Sequence, residues 1–66
     1  MPIIRIDIAQ GRTADELREL GTRVSQAAAG ALSVPESTVR VLVNEWDSEL
    51  WFSGGQSLAE KKRDTT

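Results

Sequence analysis

The sequence predicts an α+β fold: a small β-α-β unit with parallel strands, followed by a short C-terminal hairpin. Three observations carry this prediction: alternating isoleucines at the start, a long apolar helical stripe after a capping motif, and a β-branched segment beyond Pro35. Two strands joined by a long helix form a unit whose strands lie parallel. The 66 residues suffice for a single domain, 1–66,.

The first strand begins at Pro2. Its apolar side chains point to one face and its charged ones to the other, in the order Ile4, Ile6, Ile8 against Arg5, Asp7,. Gln10-Gly11-Arg12 then breaks the alternation. The strand is therefore expected to be half buried.

A helix is predicted to start at Thr13, because Thr13 and Glu16 have the T-x-x-E spacing of a capping box,. Apolar residues then recur at spacings of three and four, which favours one stripe packed on the sheet: Leu17, Leu20, Val24, Ala27, Ala28, Ala31 and Leu32,. The segment 33–37, which contains Pro35, ends the helix.

The second strand is predicted over Thr38–Glu45, where β-branched residues are frequent,. The segment 46–55 combines aromatic residues with turn formers, as expected for a loop that leads into a short hairpin. From about residue 60 to residue 66 the chain is a polar tail.

Composition excludes several classes of function. The absence of both Cys and His removes disulfides and the usual zinc ligands, so we expect no metal site,. A net charge of −2, with a basic cluster only at Lys61-Lys62-Arg63, argues against nucleic acid,. No apolar segment reaches the roughly 20 residues of a membrane span, so we expect no membrane association and a cytoplasmic protein.

Small size predicts self-association. A domain of this length buries only about 60% of the surface that its unfolded chain exposes, and oligomerisation is a usual remedy. Two strands under one helix also leave both sheet edges open. Edge-to-edge pairing gives a dimer with a four-stranded sheet and two helices, and we expect a closed, symmetric homo-oligomer.

Pro2 is a candidate base. Removal of Met1 would leave a secondary amine, and amino termini titrate at about 7.7–8.0, lower still beside cations. A neutral amine at cellular pH can abstract protons. The simpler interpretation is an edge-strand proline, whose missing N–H does no harm.

Arg12 and Arg40 are candidate anion ligands, although either can equally be a solvated cation. An extended strand rises about 3.3 Å per residue, which puts Arg12 roughly 25 Å from Pro2 of its own chain. A site that contains both residues must therefore be assembled from different subunits.

These residues together resemble the 4-oxalocrotonate tautomerase family over nearly the whole chain: Pro2-Ile3, Gly11-Arg12 before a capped helix, Val39-Arg40-Val41, and Trp51 followed by Gly54-Gly55. The resemblance implies a cofactor-independent keto-enol tautomerase that acts on 2-hydroxydienoates or related enol carboxylates. It also implies β-α-β subunits that assemble as hexamers, as trimers of dimers, and mixed hexamers occur as an alternative.

The resemblance assigns a role to each matching residue. It implies that Pro2 is the general base and acid, that Arg40 binds the hydroxyl or keto oxygen and the adjacent carboxylate, and that Arg12 binds a distal carboxylate. Trp51 bounds the apolar part of the pocket, where the family usually has phenylalanine, so pocket volume is expected to differ.

Three alternatives remain. Related dehalogenases and hydratases use a glutamate just after the aromatic residue, where this chain has Ser53, although Glu45 and Glu49 offer other carboxylates. Decarboxylation of a β-keto acid uses the same amine and arginines. The third alternative is a non-catalytic oligomerising subunit that retains Met1.

Overall fold

The computed structural model describes residues 1–64, with side chains described for 1–62, and it has the predicted β-α-β order. Strand β1 (Ile3–Ala9) and strand β2 (Arg40–Trp46) form a parallel two-stranded sheet, and helix α1 (Ala14–Leu32) connects them. The register pairs Ile3 with Arg40 and Ala9 with Trp46. Each end of the sheet therefore brings together residues from both strands.

Helix α1 begins where its sequence predicts. Thr13 is the N-cap: its side chain accepts a hydrogen bond from the Glu16 N–H at 3.1 Å, and the Glu16 carboxylate accepts one from the Thr13 N–H at 2.9 Å. These two bonds satisfy N–H groups that have no partner inside the helix. The helix ends at Ser33, which adopts a left-handed conformation with φ of 55°. Both predicted ends of α1 are confirmed.

The two strands have the predicted alternation, and their ends are displaced by one or two residues. Ile4, Ile6 and Ile8 lie half-buried on the helix side, and Arg5 and Asp7 are exposed. The second strand starts at Arg40 rather than at Thr38, because residues 36–38 form a single 3₁₀ turn that is closed by the Thr38 hydroxyl on the Pro35 carbonyl at 2.7 Å.

The predicted burial of the C-terminal end of the helical stripe is wrong for the single chain. Ala29, which the stripe did not include, is buried, whereas Ala27, Ala31 and Leu32 are exposed, Leu32 by 57%. Neighbouring strands lie only about 5 Å apart, so a two-stranded sheet covers part of a helix about 10–12 Å wide. The remaining apolar positions have no sheet beneath them.

The C-terminal hairpin is confirmed, and a second helix follows it. After a 3₁₀ turn at Ser48–Leu50, strands β3 (Phe52–Ser53) and β4 (Gln56–Ser57) pair antiparallel around Gly54-Gly55. Both glycines have positive φ, 65° and 80°, as the tight turns of two-residue hairpins require,. Helix α2 (Leu58–Asp64) occupies most of the predicted polar tail, and residues 65–66 lie outside the described residues.

Helix α2 has its own capping box. Ser57 is fully buried; its hydroxyl accepts from the Glu60 N–H at 3.1 Å, and the Glu60 carboxylate accepts from the Ser57 N–H at 3.2 Å. The S-x-x-E spacing of these residues is the signal that predicts a helix start here. These two bonds fix α2 directly to the end of the hairpin.

We expect Ser57→Ala to destabilise the protein by about 0.5–2 kcal/mol, the usual cost of removing a helix cap. Urea unfolding at a fixed protein concentration measures this loss. Ser53→Ala is the matched control, because Ser53 is exposed on β3, and it should leave the unfolding midpoint unchanged. Equal midpoints for both variants would mean that the cap contributes nothing.

A single chain has little core of its own. Ala29 and Val39 are the hydrophobic residues buried among those with described side chains, and several large ones are exposed: Ile3, Leu42, Leu50 and Phe52. The radius of gyration is 15.2 Å, whereas a compact chain of this length has about 11 Å,. In the described part of the chain, no helix is long and apolar enough to cross a membrane.

Candidate active site

Pro2 and Arg40 lie together at the amino end of the parallel sheet. The Arg40 N–H donates to the Pro2 carbonyl at 3.0 Å, which holds the backbone of Pro2 against β2 although Pro2 itself precedes β1. The Arg40 guanidinium donates through Nη1 to the Ser37 carbonyl at 2.7 Å. A guanidinium has five N–H donors, so this bond uses one of them while limiting the motion of the side chain.

The Pro2 nitrogen is an amide as long as Met1 is attached. An amide nitrogen has no basic lone pair, so the predicted chemistry needs removal of Met1. The Met1 residue is 81% exposed, and Pro2 is half-buried. Cleavage of this peptide bond would therefore uncover the ring nitrogen without opening the core.

Arg12 lies beyond the opposite end of β1. Gly11, just before it, has φ of +129°, a backbone conformation that residues with a Cβ rarely adopt,. This turn directs the chain from the strand into the cap of α1. The exposed Arg12 side chain donates through Nη1 to the Ala9 carbonyl over a long 3.4 Å. Such a weak contact leaves the guanidinium adaptable.

Trp51 lies at the same end of the sheet as Arg12. It is half-buried after the Ser48–Leu50 turn, and its carbonyl accepts from the Leu58 N–H at 2.9 Å. Together with Asp7, Trp46 and Leu50 it lines a cavity of about 350 Å³. Asp7 and Trp46 belong to the carboxyl-terminal halves of β1 and β2. The cavity therefore opens at the carboxyl end of the sheet.

The predicted site residues of one chain lie at opposite ends of the sheet rather than in one site. Pro2 and Arg40 are at the amino end of the sheet, and Arg12 and Trp51 are at its carboxyl end, as the strand register requires. Within the described residues, no group of three His, Cys, Asp or Glu side chains is arranged to hold a metal ion.

Sequence reasoning missed three lining residues of the cavity: Asp7, Trp46 and Leu50. The Trp46 indole Nε1 donates to Asp7 Oδ1 at 2.9 Å across a separation of 39 residues in sequence. Neither residue belongs to a local motif. Only the strand register, which places β1 and β2 side by side with Asp7 opposite Asn44, brings these two side chains into contact.

Comparisons with known proteins agree with this architecture. The family model for tautomerase enzymes matches residues 2–61. The 2-hydroxymuconate tautomerase of Pseudomonas sp. (strain CF600) is 35% identical over 63 residues, which cover 96% of this chain and 100% of that protein.

Solved structures extend the comparison. The crystal structure of TomN, a 4-oxalocrotonate tautomerase homologue in the tomaymycin biosynthetic pathway, superposes with a TM-score of 0.94 at 38% identity, covering 98% of this chain and 100% of that one. A heterohexamer 4-oxalocrotonate tautomerase from Chloroflexus aurantiacus J-10-fl superposes with a TM-score of 0.87 at 38% identity, covering 91% of this chain and 97% of that one. With the family model matched over most of its length, the chain belongs to the 4-oxalocrotonate tautomerase family of tautomerase enzymes, which are isomerases.

Proposed function

We propose that this protein is a cofactor-independent keto-enol tautomerase for 2-hydroxydienoates or related enol carboxylates, with the Pro2 amine as general base and acid. The observation that carries the proposal is the main-chain pairing of Pro2 with Arg40 at the amino end of the sheet, through the 3.0 Å bond from the Arg40 N–H to the Pro2 carbonyl, in a chain of the tautomerase family. The 2-hydroxymuconate tautomerase relative supports the substrate class.

The proposed reaction moves one proton. The neutral Pro2 amine takes the proton of the enol hydroxyl, the electron pair of that bond forms the carbonyl, and the displaced π electrons take a proton back from the resulting ammonium at a carbon further along. Because one group acts in turn as base and acid, both of its protonation states must be accessible near working pH. Guanidinium groups that the proposed assembly brings close to this amine would favour its neutral form.

Arg40 and Arg12 have distinct roles in this proposal. Arg40 binds the hydroxyl or keto oxygen and the adjacent carboxylate, where negative charge grows in the transition state. Arg12 grips a distal carboxylate, for which the planar fork of a guanidinium supplies two parallel hydrogen bonds. Trp51 bounds the apolar part of the substrate.

The complete site is proposed to form between subunits, in a cytoplasmic homo-oligomer. Pro2 of one chain would meet the carboxyl end of the sheet of another, because no single chain holds both groups of residues together. Large exposed side chains such as Ile3, Leu42 and Phe52 support association. Dimers with a four-stranded sheet, three of which form a hexamer, are the proposed arrangement; a mixed hexamer is the alternative, as in the Chloroflexus aurantiacus relative.

A substrate panel tests the reaction class. We expect turnover of 2-hydroxymuconate and phenylenolpyruvate, followed by their ultraviolet absorbance, and little halide release from 3-haloacrylates. Ser53, at the position where the related dehalogenases have a glutamate, has no carboxylate to activate water. Halide release faster than ketonisation would favour a dehalogenase, and carbon dioxide from a β-keto acid would favour a decarboxylase.

Arg12→Ala should weaken the binding of dicarboxylates selectively. Loss of a charge-assisted hydrogen bond to a carboxylate costs about 1.5–3 kcal/mol, so KM for 2-hydroxymuconate should rise at least about tenfold. Phenylenolpyruvate has no distal carboxylate, and its KM should stay within about twofold by the same reasoning. Steady-state kinetics with both substrates check this difference; equal increases would contradict the role of Arg12.

A further inference from the structure

The cavity at the carboxyl end of the sheet has an aromatic character that the proposed reaction does not require. Two indoles, Trp46 and Trp51, and the Leu50 side chain form its apolar walls, and Asp7 lines it as well. It is an open depression of about 350 Å³ on the surface of the single chain. We call these four residues the aromatic slot.

Trp46 is held at both its backbone and its ring. Its carbonyl accepts from the Gln10 N–H at 2.8 Å, which ties it to the turn that leads to Arg12. Its indole Nε1 donates to Asp7 Oδ1 at 2.9 Å. The residue is nevertheless 47% exposed. The ring is thus fixed in orientation while much of its surface remains accessible to a ligand.

The chemistry of the slot selects against negative charge and in favour of flat rings. Indole faces pack best with other aromatic rings in stacked or edge-to-face arrangements, at about 0.5–1.5 kcal/mol beyond the burial of area. The Asp7 carboxylate disfavours a second anionic group within a few ångströms. A substrate carboxylate is therefore better placed at an arginine than inside the slot.

We propose that Trp46 is a specificity-determining residue, and that the aromatic slot binds the uncharged aromatic tail of an aryl enol carboxylate. Asp7 is a positioning residue, which acts by orienting the Trp46 ring. This inference rests on the proposed function and extends it: Arg12 serves substrates with a distal carboxylate, and the slot serves monocarboxylates with a ring in its place.

Kinetics with two substrates test the specificity. Trp46→Ala should raise KM for phenylenolpyruvate about tenfold, which corresponds to the upper end of the energy that an aromatic pair contributes. It should change KM for 2-hydroxymuconate by less than about threefold. Asp7→Ala should have the same selective effect, because it removes the acceptor that orients the ring. Asp7→Asn retains a side-chain oxygen and should restore the wild-type ratio of KM values.

A binding measurement separates this inference from the reaction. Tryptophan emission, titrated with 3-phenylpropanoate and with butanoate, reports occupancy of the slot without turnover. The wild-type protein should bind the aromatic acid at least about fivefold more tightly, and Trp46→Ala should abolish the difference. Trp46→Phe keeps an aromatic wall and leaves Trp51 as the sole reporter, because the chain has 2 tryptophans; it should retain most of the preference.

The outcomes are distinguishable. If the protein turns over enol carboxylates but neither the KM values nor the binding titration shows a preference for an aromatic ring that depends on Trp46, the role of the slot is overturned and the proposed function stands. Preferential binding of 3-phenylpropanoate by a protein that turns over no enol carboxylate overturns the proposed function and keeps the slot. Glu19→Ala is the control variant: Glu19 pairs with Arg23 on the exposed side of α1, so both measurements should match wild type.

Discussion

Pro2→Ala should reduce kcat for 2-hydroxymuconate by about 10²-fold or more, within the range that a positioned general base contributes. The substitution exchanges the rigid secondary amine of the ring for a primary amine that can rotate away from the substrate, and it leaves the backbone carbonyl that accepts from the Arg40 N–H. Pairing of β1 with β2 is therefore retained. Stopped-flow or steady-state absorbance measurements give kcat, and sedimentation should show an assembly of unchanged size.

The state of the amino terminus must be measured with the same samples. Intact mass spectrometry of the protein made in cells should give a mass without Met1. A variant that retains Met1, because a bulky residue is inserted after it, should be at least as inactive as Pro2→Ala, since its Pro2 nitrogen stays an amide. Full turnover in either protein would reject Pro2 as the base, whatever its position in the sheet.

Arg40→Ala should lower kcat by about 10²- to 10³-fold, the usual loss when one preorganised donor to a developing negative charge is removed. Its KM should change much less, since the contact strengthens in the transition state. Arg40→Lys keeps the charge but loses the planar fork, so it should recover only part of the rate. The measurement is the pair kcat and KM with 2-hydroxymuconate.

Arg5→Ala is the matched control for Arg40. Both arginines lie on the exposed face of the two-stranded sheet, one on each strand, but Arg5 is paired in register with Leu42, away from Pro2. It should leave kcat near the wild-type value. A similar loss of rate in both variants, with assembly intact, would point to the overall charge of this face rather than to a specific contact at Arg40.

Local sequence signals predicted most of the fold. The T-x-x-E spacing at Thr13 located the start of α1, because a capping box requires only residues that are close in sequence,. The hairpin followed from Gly54-Gly55, since both positions need positive φ. The same kind of signal was present at Ser57 and Glu60, but the seven residues of α2 are too few to show helical periodicity.

The candidate site was less accessible to local reasoning. Pro2, Arg12, Arg40 and Trp51 were identified by resemblance, and their roles remain predictions. The contact between Trp46 and Asp7 spans 39 residues and depends on the register of two strands, which no local pattern specifies. For the same reason the end of the α1 stripe was wrong: the width of the sheet beneath a helix is a property of the assembled strands.

Because Pro2 and Arg12 lie at opposite ends of β1, a defect in one protomer affects the catalytic centres that it shares with its neighbours. In the proposed assembly each protomer contributes half of two catalytic centres and never owns a whole one. A lesion in one polypeptide then impairs a neighbour's chemistry as well as its own, while two differently damaged copies can regenerate an intact centre at their junction. Dilution that separates the protomers would extinguish catalysis in every one of them, because no separated chain holds both halves of a centre.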